Sequence, residues 1–361
     1  MSASTLPTLS VLASGLVTCL GFNGPASLAA MRAGVRHVRL TNLWDPFAGD
    51  YVAAGKVDLP QWSPGAGKLA DLVAPAIGEC FKAAMAATQT DARRIPLFLV
   101  LPRPDRPHLQ ARLDERLLGE IGFKLNLPVH AASRLFPADR AATVSALAAA
   151  QQWLVGNAEP YCVVAGVDSL IEPKLVDELL HRRRILSGGN SNGFSPGEAA
   201  SAVLIGRDGH GFDSELQILG WGSGHEPATP ESDVPLRGDG LIEAIGQALR
   251  VSGLSMQETH FRIADLNGEH DRFKEMTFAM LRYERQPRPL LNELWHPVEH
   301  VGEVGAAIGP LLLAVALHAG QRDYGVGSTA LCTLSNDDGA RACVVTRFRQ
   351  PAGQPSTGSA R

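Results

Sequence analysis

The chain has 361 residues, with 33 Lys and Arg against 37 Asp and Glu, a net charge of −4, and 45% hydrophobic residues. So balanced a charge gives no case for a nucleic-acid partner or a basic membrane-surface protein. The apolar fraction excludes disorder for the bulk of the chain. At roughly 150 residues per domain, the length suits two domains or one doubled unit. Cys19, Cys80, Cys162, Cys332 and Cys343 are odd in number, widely spread and without C-x-x-C. That pattern argues against a disulfide framework or a structural zinc, and for a reducing, cytoplasmic setting.

Met1–Pro7 carries no basic run, and the apolar stretch Leu9–Leu20 is interrupted by Gly15 and Thr18, so no secretory leader is expected. Leu9–Val17 reads as a first strand, followed by a turn at Gly21–Gly24 and a helix around Ala26–Ala33 closed by Gly34. The apolar run Leu97–Leu101 stops at Pro102 and reads as a buried strand, with a proline-rich loop over 102–110. Asp139 to Val155 is nearly unbroken helix former, with Asp139 fitting its N-cap and Gly156 its stop.

Tyr161–Ala165, Ala200–Ile205 and Ser214–Gly220 read as strands, with a turn at Gly206–Gly209. A loop rich in Pro, Glu and Gly is expected over Gly222–Gly240. A helix with Leu241, Ile245, Ala248 and Leu249 on one face follows and stops at Gly253. Phe261–Leu266 is a strand. Gly305–Ala319 is a buried helix, because the apolar stretch from Val304 to Ala319 is shorter than the roughly 20 residues a bilayer span needs. Ala330–Leu334 and Ala342–Thr346 form a hairpin about the turn Ser335–Gly339, and residues 350–361 form a flexible tail. Short strands alternating with alanine-rich helices indicate a layered α/β fold.

Several of these segments, in order, resemble the thiolase-like superfamily, and most of all the β-ketoacyl synthases. Ala13-Ser-Gly-Leu-Val-Thr-Cys-Leu-Gly21 resembles the family's first strand and turn, and Ala165-Gly-Val-Asp-Ser169 the strand end after the nucleophile-bearing helix. Asn192-Gly-Phe-Ser-Pro-Gly-Glu-Ala-Ala200 is similar to the family's Asp-Gly-Phe-x-x-Gly-Glu-Gly-Ala turn, and Gly305-Ala-Ala307 to the stretch after its last catalytic histidine. The resemblance implies an α/β thiolase-like fold of two similar halves, 1–221 and 222–349, forming a five-layer α-β-α-β-α sandwich. It further implies a dimer and an active site between the halves. There a helix N-terminus would lower a cysteine's pKa and offer N–H groups to an oxyanion, with two histidines, or a histidine and an asparagine, assisting.

The positions that match the catalytic residues hold other side chains. Counting back from Gly156 puts Asp139 at the nucleophile position, inside Pro137-Ala-Asp-Arg-Ala141. Against the family's Asn-x-His-Gly-Thr, Asn267 places Glu269 at the first histidine. Against Gly-His-x-x-Gly-Ala-Ala, Val301–Ala307 places Gly302 at the second. Ser133, His270 and His300 lie near enough to rescue these roles after small shifts, and the terminal glycine-rich loop is replaced by Ser335–Gly339.

Two unrelated patterns compete. Gly189-Asn-Ser-Asn-Gly193 matches a nucleophile elbow at Ser191, but a strand rather than a helix is expected after it. His296-Pro-Val-Glu-His300 matches a zinc motif, yet Pro297 permits helix only from that point on, and no further ligand helix follows. The expectation is therefore a non-catalytic thiolase-fold protein needing no cofactor or metal. It would act as a binding or accessory partner: a homodimer, a heterodimer with a related synthase subunit, or a companion of an acyl carrier protein or a type VI secretion effector. The alternative is a β-ketoacyl synthase or acyltransferase with a rewired site that uses Asp139 or Ser133 with His270 and His300.

Overall fold

The computed structural model describes residues 8–59, 65–109, 115–207, 211–284 and 292–350. The start Met1–Pro7, the tail beyond Gln350 and the latter half of the turn read at Gly206–Gly209 lie outside the described residues.

Two sets of five strands share one order. In the first, β1 (Leu9–Val17) lies beside β7 (Glu198–Arg207), then β6 (Tyr161–Ser169), β4 (Leu97–Val100) and β5 (Arg134–Phe136). In the second, β8 (Glu215–His225) lies beside β12 (Ala340–Arg349), β11 (Thr329–Ser335), β9 (Phe261–Ala264) and β10 (Glu293–Trp295). Parallel and antiparallel pairings recur at the same places in both sets. The sets join where β1 pairs with β8 over Leu9–Val11 and Leu216–Ile218, giving one ten-stranded sheet. The break read at 221/222 falls inside β8.

Apolar side chains on both faces of each set require helices on both faces, which sets the layers. Outside the first set lie α2 (Ala66–Thr88) and α3 (Glu115–Leu125), meeting it through Leu72, Ile77, Leu117, Leu99, Val163 and Leu204. Between the sets lie α4 (Ala142–Gly156) and α9 (Ile308–Gln321), where Leu147, Leu154 and Leu311 meet Leu16, Val203, Ile218 and Val344. Outside the second set lie α6 (Asp239–Ser252) and α7 (His270–Tyr283), with Ile245, Met276 and Met280 against Leu331 and Val345. The five layers are thus those the resemblance implied.

The apolar stretch read as a buried helix is α9, preceded by a 3₁₀ turn at Gly305–Ala307. Pro310 sits in its first turn, where a missing N–H costs no helical hydrogen bond. Its leucines are almost fully enclosed, each contributing on the order of 2 kcal/mol by leaving water. No helix among the described residues is long and apolar enough to cross a membrane.

The loop read over Gly222–Gly240 is a correction: β8 continues to His225 and α6 begins at Asp239. Gly220, Gly222 and Gly224 stand on one face of β8, and a Cβ at any of them would collide with the backbone of α6. The glycines are there so that helix and strand can touch, a close approach that composition alone reads as a turn. Two smaller elements flank the layers: the hairpin β2 (Arg39–Asp45) and β3 (Asp50–Ala54), and α5 (Pro173–His181), which supports it through Val52, Leu175, Val176 and Leu179.

Candidate functional site

Asp139 lies in the short turn between β5 and α4. Its N–H donates to Leu101 O at 2.9 Å, which ties that turn to the end of β4. Its φ of 59° places it in the left-handed region, which Asp and Asn enter more readily than most residues. The N-cap reading of Asp139 is corrected: α4 starts at Ala142, and its N-cap is Ala141, without a side-chain cap. The chain enters the helix through a tighter turn, in which Asp139 Oδ1 accepts the N–H of Arg140 at 2.8 Å and its carbonyl accepts that of Ala142 at 3.0 Å. Asn336 completes the arrangement, accepting the Ala141 N–H at 2.9 Å and donating to Ala138 O at 2.9 Å. The Thr143 N–H goes to Arg140 O. The amides of residues 139 to 143 are thus all engaged, and none remains to meet an oxyanion.

The next residue, Arg140, is buried between the two halves. Its Nη1 donates to Glu303 Oε2 at 3.0 Å and lies 3.6 Å from Asp265 Oδ2, while Nε stands 3.7 Å from Asp139 Oδ1. Glu303 also accepts the N–H of Gly305 and the amide of Asn267 at 3.0 Å. Asn267 reaches Glu269 Oε2 at 3.1 Å as well, and Glu269 receives both arms of the Arg184 guanidinium at 2.7 Å each. Arg184 and Arg272 pair with Asp337, and Asp265 accepts the N–H of Ser335. A continuous chain of ion pairs and charge-assisted hydrogen bonds therefore fills the junction of the halves.

The electrostatics follow from burial and these partners. Desolvation pushes the Asp139 carboxyl up to about 6; Arg140 and Arg106 work against the shift, and Asp168 and Asp337 with it. Asp265 is likewise raised by burial against the pull of Arg140 and Arg272. Desolvation opposes ionisation of Asp337, but Arg184 and Arg272 hold its carboxyl well below the usual range. Burial would lower Arg140, yet Glu303, Asp139 and Asp265 together keep it firmly charged.

Of the residues read from sequence, Asp139, Glu269 and Gly302 gather on this network, directly or through a neighbour. Gly302 has φ 81° and ψ 179°. A Cβ there would stand 2.9 Å from the carbonyl oxygens of both Ser195 and Pro196. A side chain at 302 therefore has no room, and its neighbour Glu303 supplies the group that meets Arg140.

The three rescuers lie elsewhere. Ser133 Oγ accepts the Leu97 N–H at the start of β4. His270 is exposed at the start of α7. His300 Nδ1 is 3.0 Å from Val35 O, on the side of α1 (Gly24–Arg32). Ser191 sits in an exposed bend followed by β7, with no helix aimed at it. His296 precedes the short α8 (Val298–Val301), and among the described residues no cluster of three or more His, Cys, Asp or Glu is placed to hold a metal. Cys19 is the one half-buried thiol of the five, and burial pushes it up to about 12. Sequence reasoning passed over Arg140, Glu303 and Asn336, although the first two stand directly beside Asp139 and Gly302.

No protein-family profile and no curated protein matches the sequence. Solved structures do. A ketosynthase in complex with its chain length factor from Xenorhabdus doucetiae superimposes with a TM-score of 0.74 at 14% identity, over 97% of this chain and 100% of that one. A ketosynthase bound to the hexaketide, in a type II polyketide acyl-carrier-protein complex, gives 0.75 at 14%, over 95% and 100%. The ishigamide ketosynthase/chain length factor gives 0.74 at 15%, over 95% and 99%. The fold is therefore the thiolase-like fold of the ketosynthases, over nearly the whole chain.

Proposed function

We propose that this ketosynthase-fold chain works by binding and not by Claisen condensation, as the non-catalytic partner of a related subunit. The observation that carries this reading is the state of the helix entry. Every first-turn amide is engaged, Asp139 and not a cysteine stands at the position matched to the family's nucleophile, and the Arg140–Glu303–Asn267–Glu269 network closes the junction beside it. A charge network of this kind stabilises a closed centre, because opening it would leave Glu303 and Asp265 buried without their cation.

The partner-subunit reading draws support from the structural neighbours, which include a ketosynthase complexed with a chain length factor and one complexed with an acyl carrier protein. It also draws on the edge of the sheet, which among the described residues pairs with no further strand. β5 ends the ten-stranded order, and Phe123 on the adjacent α3 is 80% exposed above a groove lined by Leu118, Gly122, Leu127 and Val129. An open strand edge beside an exposed aromatic side chain suits pairing with a second sheet of the same kind.

The test is incubation with acyl- and malonyl-thioesters, followed by intact-mass and peptide analysis. The expected result is neither turnover nor an acyl-protein. A rewired synthase would instead have a carboxylate or hydroxyl oxygen attack the thioester carbonyl, the carbon–sulfur bond breaking as the acyl–oxygen bond forms, with the sulfur leaving as a thiolate in the carboxylate reaction and as a thiol carrying the hydroxyl proton in the other. A stable acyl adduct on Asp139 or Ser133 overturns the non-catalytic reading.

A further inference from the structure

At the end of α9 remote from the junction of the halves, small residues leave space that the core does not fill. Ala13 and Ser14 of β1, Ala29 of α1 and Ala33 just past it line a cavity of about 660 Å³, together with the last turn of α9. That is a usual size for a small-molecule site. Leu12, Leu28, Leu317 and Phe212 give the cavity apolar walls. α9 runs over 14 residues, about 20 Å from start to end, and no lining residue belongs to the Arg140 network.

The charge on this lining is of one sign. Arg32, in the last turn of α1, and Arg322, at the C-cap of α9, both line the cavity, and among the described residues no Asp or Glu does. Neither guanidinium makes an ion pair or donates a hydrogen bond to a described residue; Arg32 lies over the Tyr324 ring at 4.9 Å. Asp213 and Asp323, the sequence neighbours of Phe212 and Arg322, pair with neither arginine. Glu79 is spent on the N–H groups of Gly24 and Leu16. Glu299, which borders a smaller cavity with Arg32, stands instead beside His296 and His300. Both arginines act on His318 in the same wall: burial first, then Arg322 and Arg32, push its imidazole down to about 4, so it stays neutral. Each helix C-terminus offers about half a negative charge. Two guanidinium charges therefore leave an excess of about one.

We propose that this cavity binds a small carboxylate with an apolar body, the carboxylate held by Arg32 and Arg322 and the body lying against Leu12, Leu28, Leu317 and Phe212. A guanidinium fork matches the two oxygens of a carboxylate. A single excess charge suits a monoanion better than a phosphate dianion, and apolar walls reward a chain that inorganic phosphate lacks. The site goes beyond the partner-subunit reading and does not depend on it, since it uses neither the junction nor the β5 edge.

The probe is octanoate, titrated calorimetrically into the intact chain below its micellar concentration, with octylamine, octanol and inorganic phosphate for comparison. Saturable one-to-one binding of octanoate is expected, with the other three binding far more weakly. Arg32→Gln and Arg322→Gln should each weaken it about tenfold, the worth of one charge-assisted hydrogen bond. Arg36→Gln removes an exposed arginine outside the cavity and should change nothing. The double variant Arg32→Glu/Arg322→Glu should lose octanoate and take up octylamine, an exchange that loss of folding cannot produce. The proposal is overturned by the absence of saturable octanoate binding, or by octanol or phosphate binding as tightly. It is overturned equally by binding that both glutamine substitutions leave unaltered, or that Arg36→Gln weakens as much as they do.

Discussion

Replacing Asp139 by asparagine isolates the cost of keeping a carboxylate in the closed junction. Asparagine tolerates the left-handed φ of 59°, and its Oδ1 can still accept the Arg140 N–H. Only the titrating charge is lost. An acid whose folded-state pKa is raised supports the fold while protonated and burdens it once ionised. The burden therefore begins as pH rises past the ordinary value of 3.8 and is complete above about 6. That gap, at ~1.4 kcal/mol per decade, amounts to ~3 kcal/mol. Asp139→Asn should therefore match wild type near the acid end of the range. It should grow more stable through the interval from 3.8 to about 6 and hold a gain of up to ~3 kcal/mol at neutral pH. Urea unfolding of both proteins across this range measures the difference directly. A gain that does not vary with pH, or a variant less stable than wild type at neutral pH, would refute the argument.

Arg140→Met leaves Glu303 and Asp265 buried without their cation, and should cost ~3–5 kcal/mol in the same unfolding assay. Adding Glu303→Gln to that variant should recover part of the loss, since one orphaned charge goes with it. Gly302→His returns the imidazole that the family alignment places there, yet the backbone conformation and the Ser195 and Pro196 carbonyls forbid it. We expect a loss of at least ~1–3 kcal/mol and no thioester turnover. On the proposed pairing through the β5 edge, Phe123→Asp, on the exposed face of α3, should weaken association with the related subunit in sedimentation while leaving the far-ultraviolet circular dichroism unchanged.

Elements with an unambiguous period or boundary were legible in the sequence. β1 runs from Leu9 to Val17 as read, and the turn between β11 and β12, residues 336–339, lies within the stretch Ser335–Gly339. The stretch 35–96 was not. Its hairpin shows apolar residues on both faces, so alternation is hidden, and α2 carries Pro75 in its interior. At the junction, the unusual residues Asp139, Glu269 and Gly302 stood out because a known pattern had something else there. Arg140 and Glu303 did not, because their meaning lies in a contact across 163 residues. Composition and spacing carry no record of such a pair. Asn336 was likewise read as turn chemistry, whereas its side chain brackets Asp139 from a strand end 195 residues from Ala141.

The short seam between β1 and β8 has a consequence for how the molecule could be taken apart. Leu9, Val11, Leu216 and Ile218 in that seam are all but sealed from solvent, and Ser10 donates to Glu215 across it at 2.7 Å. A protease cutting the segment between β8 and α6 would sever the chain without parting the product. Strand β8 would stay stitched to β1 on one side and β12 on the other. Neither fragment, made alone, would own both borders of its sheet. The duplicated halves are thus mutual templates, and the least divisible place in the molecule is the point where one copy hands over to the next.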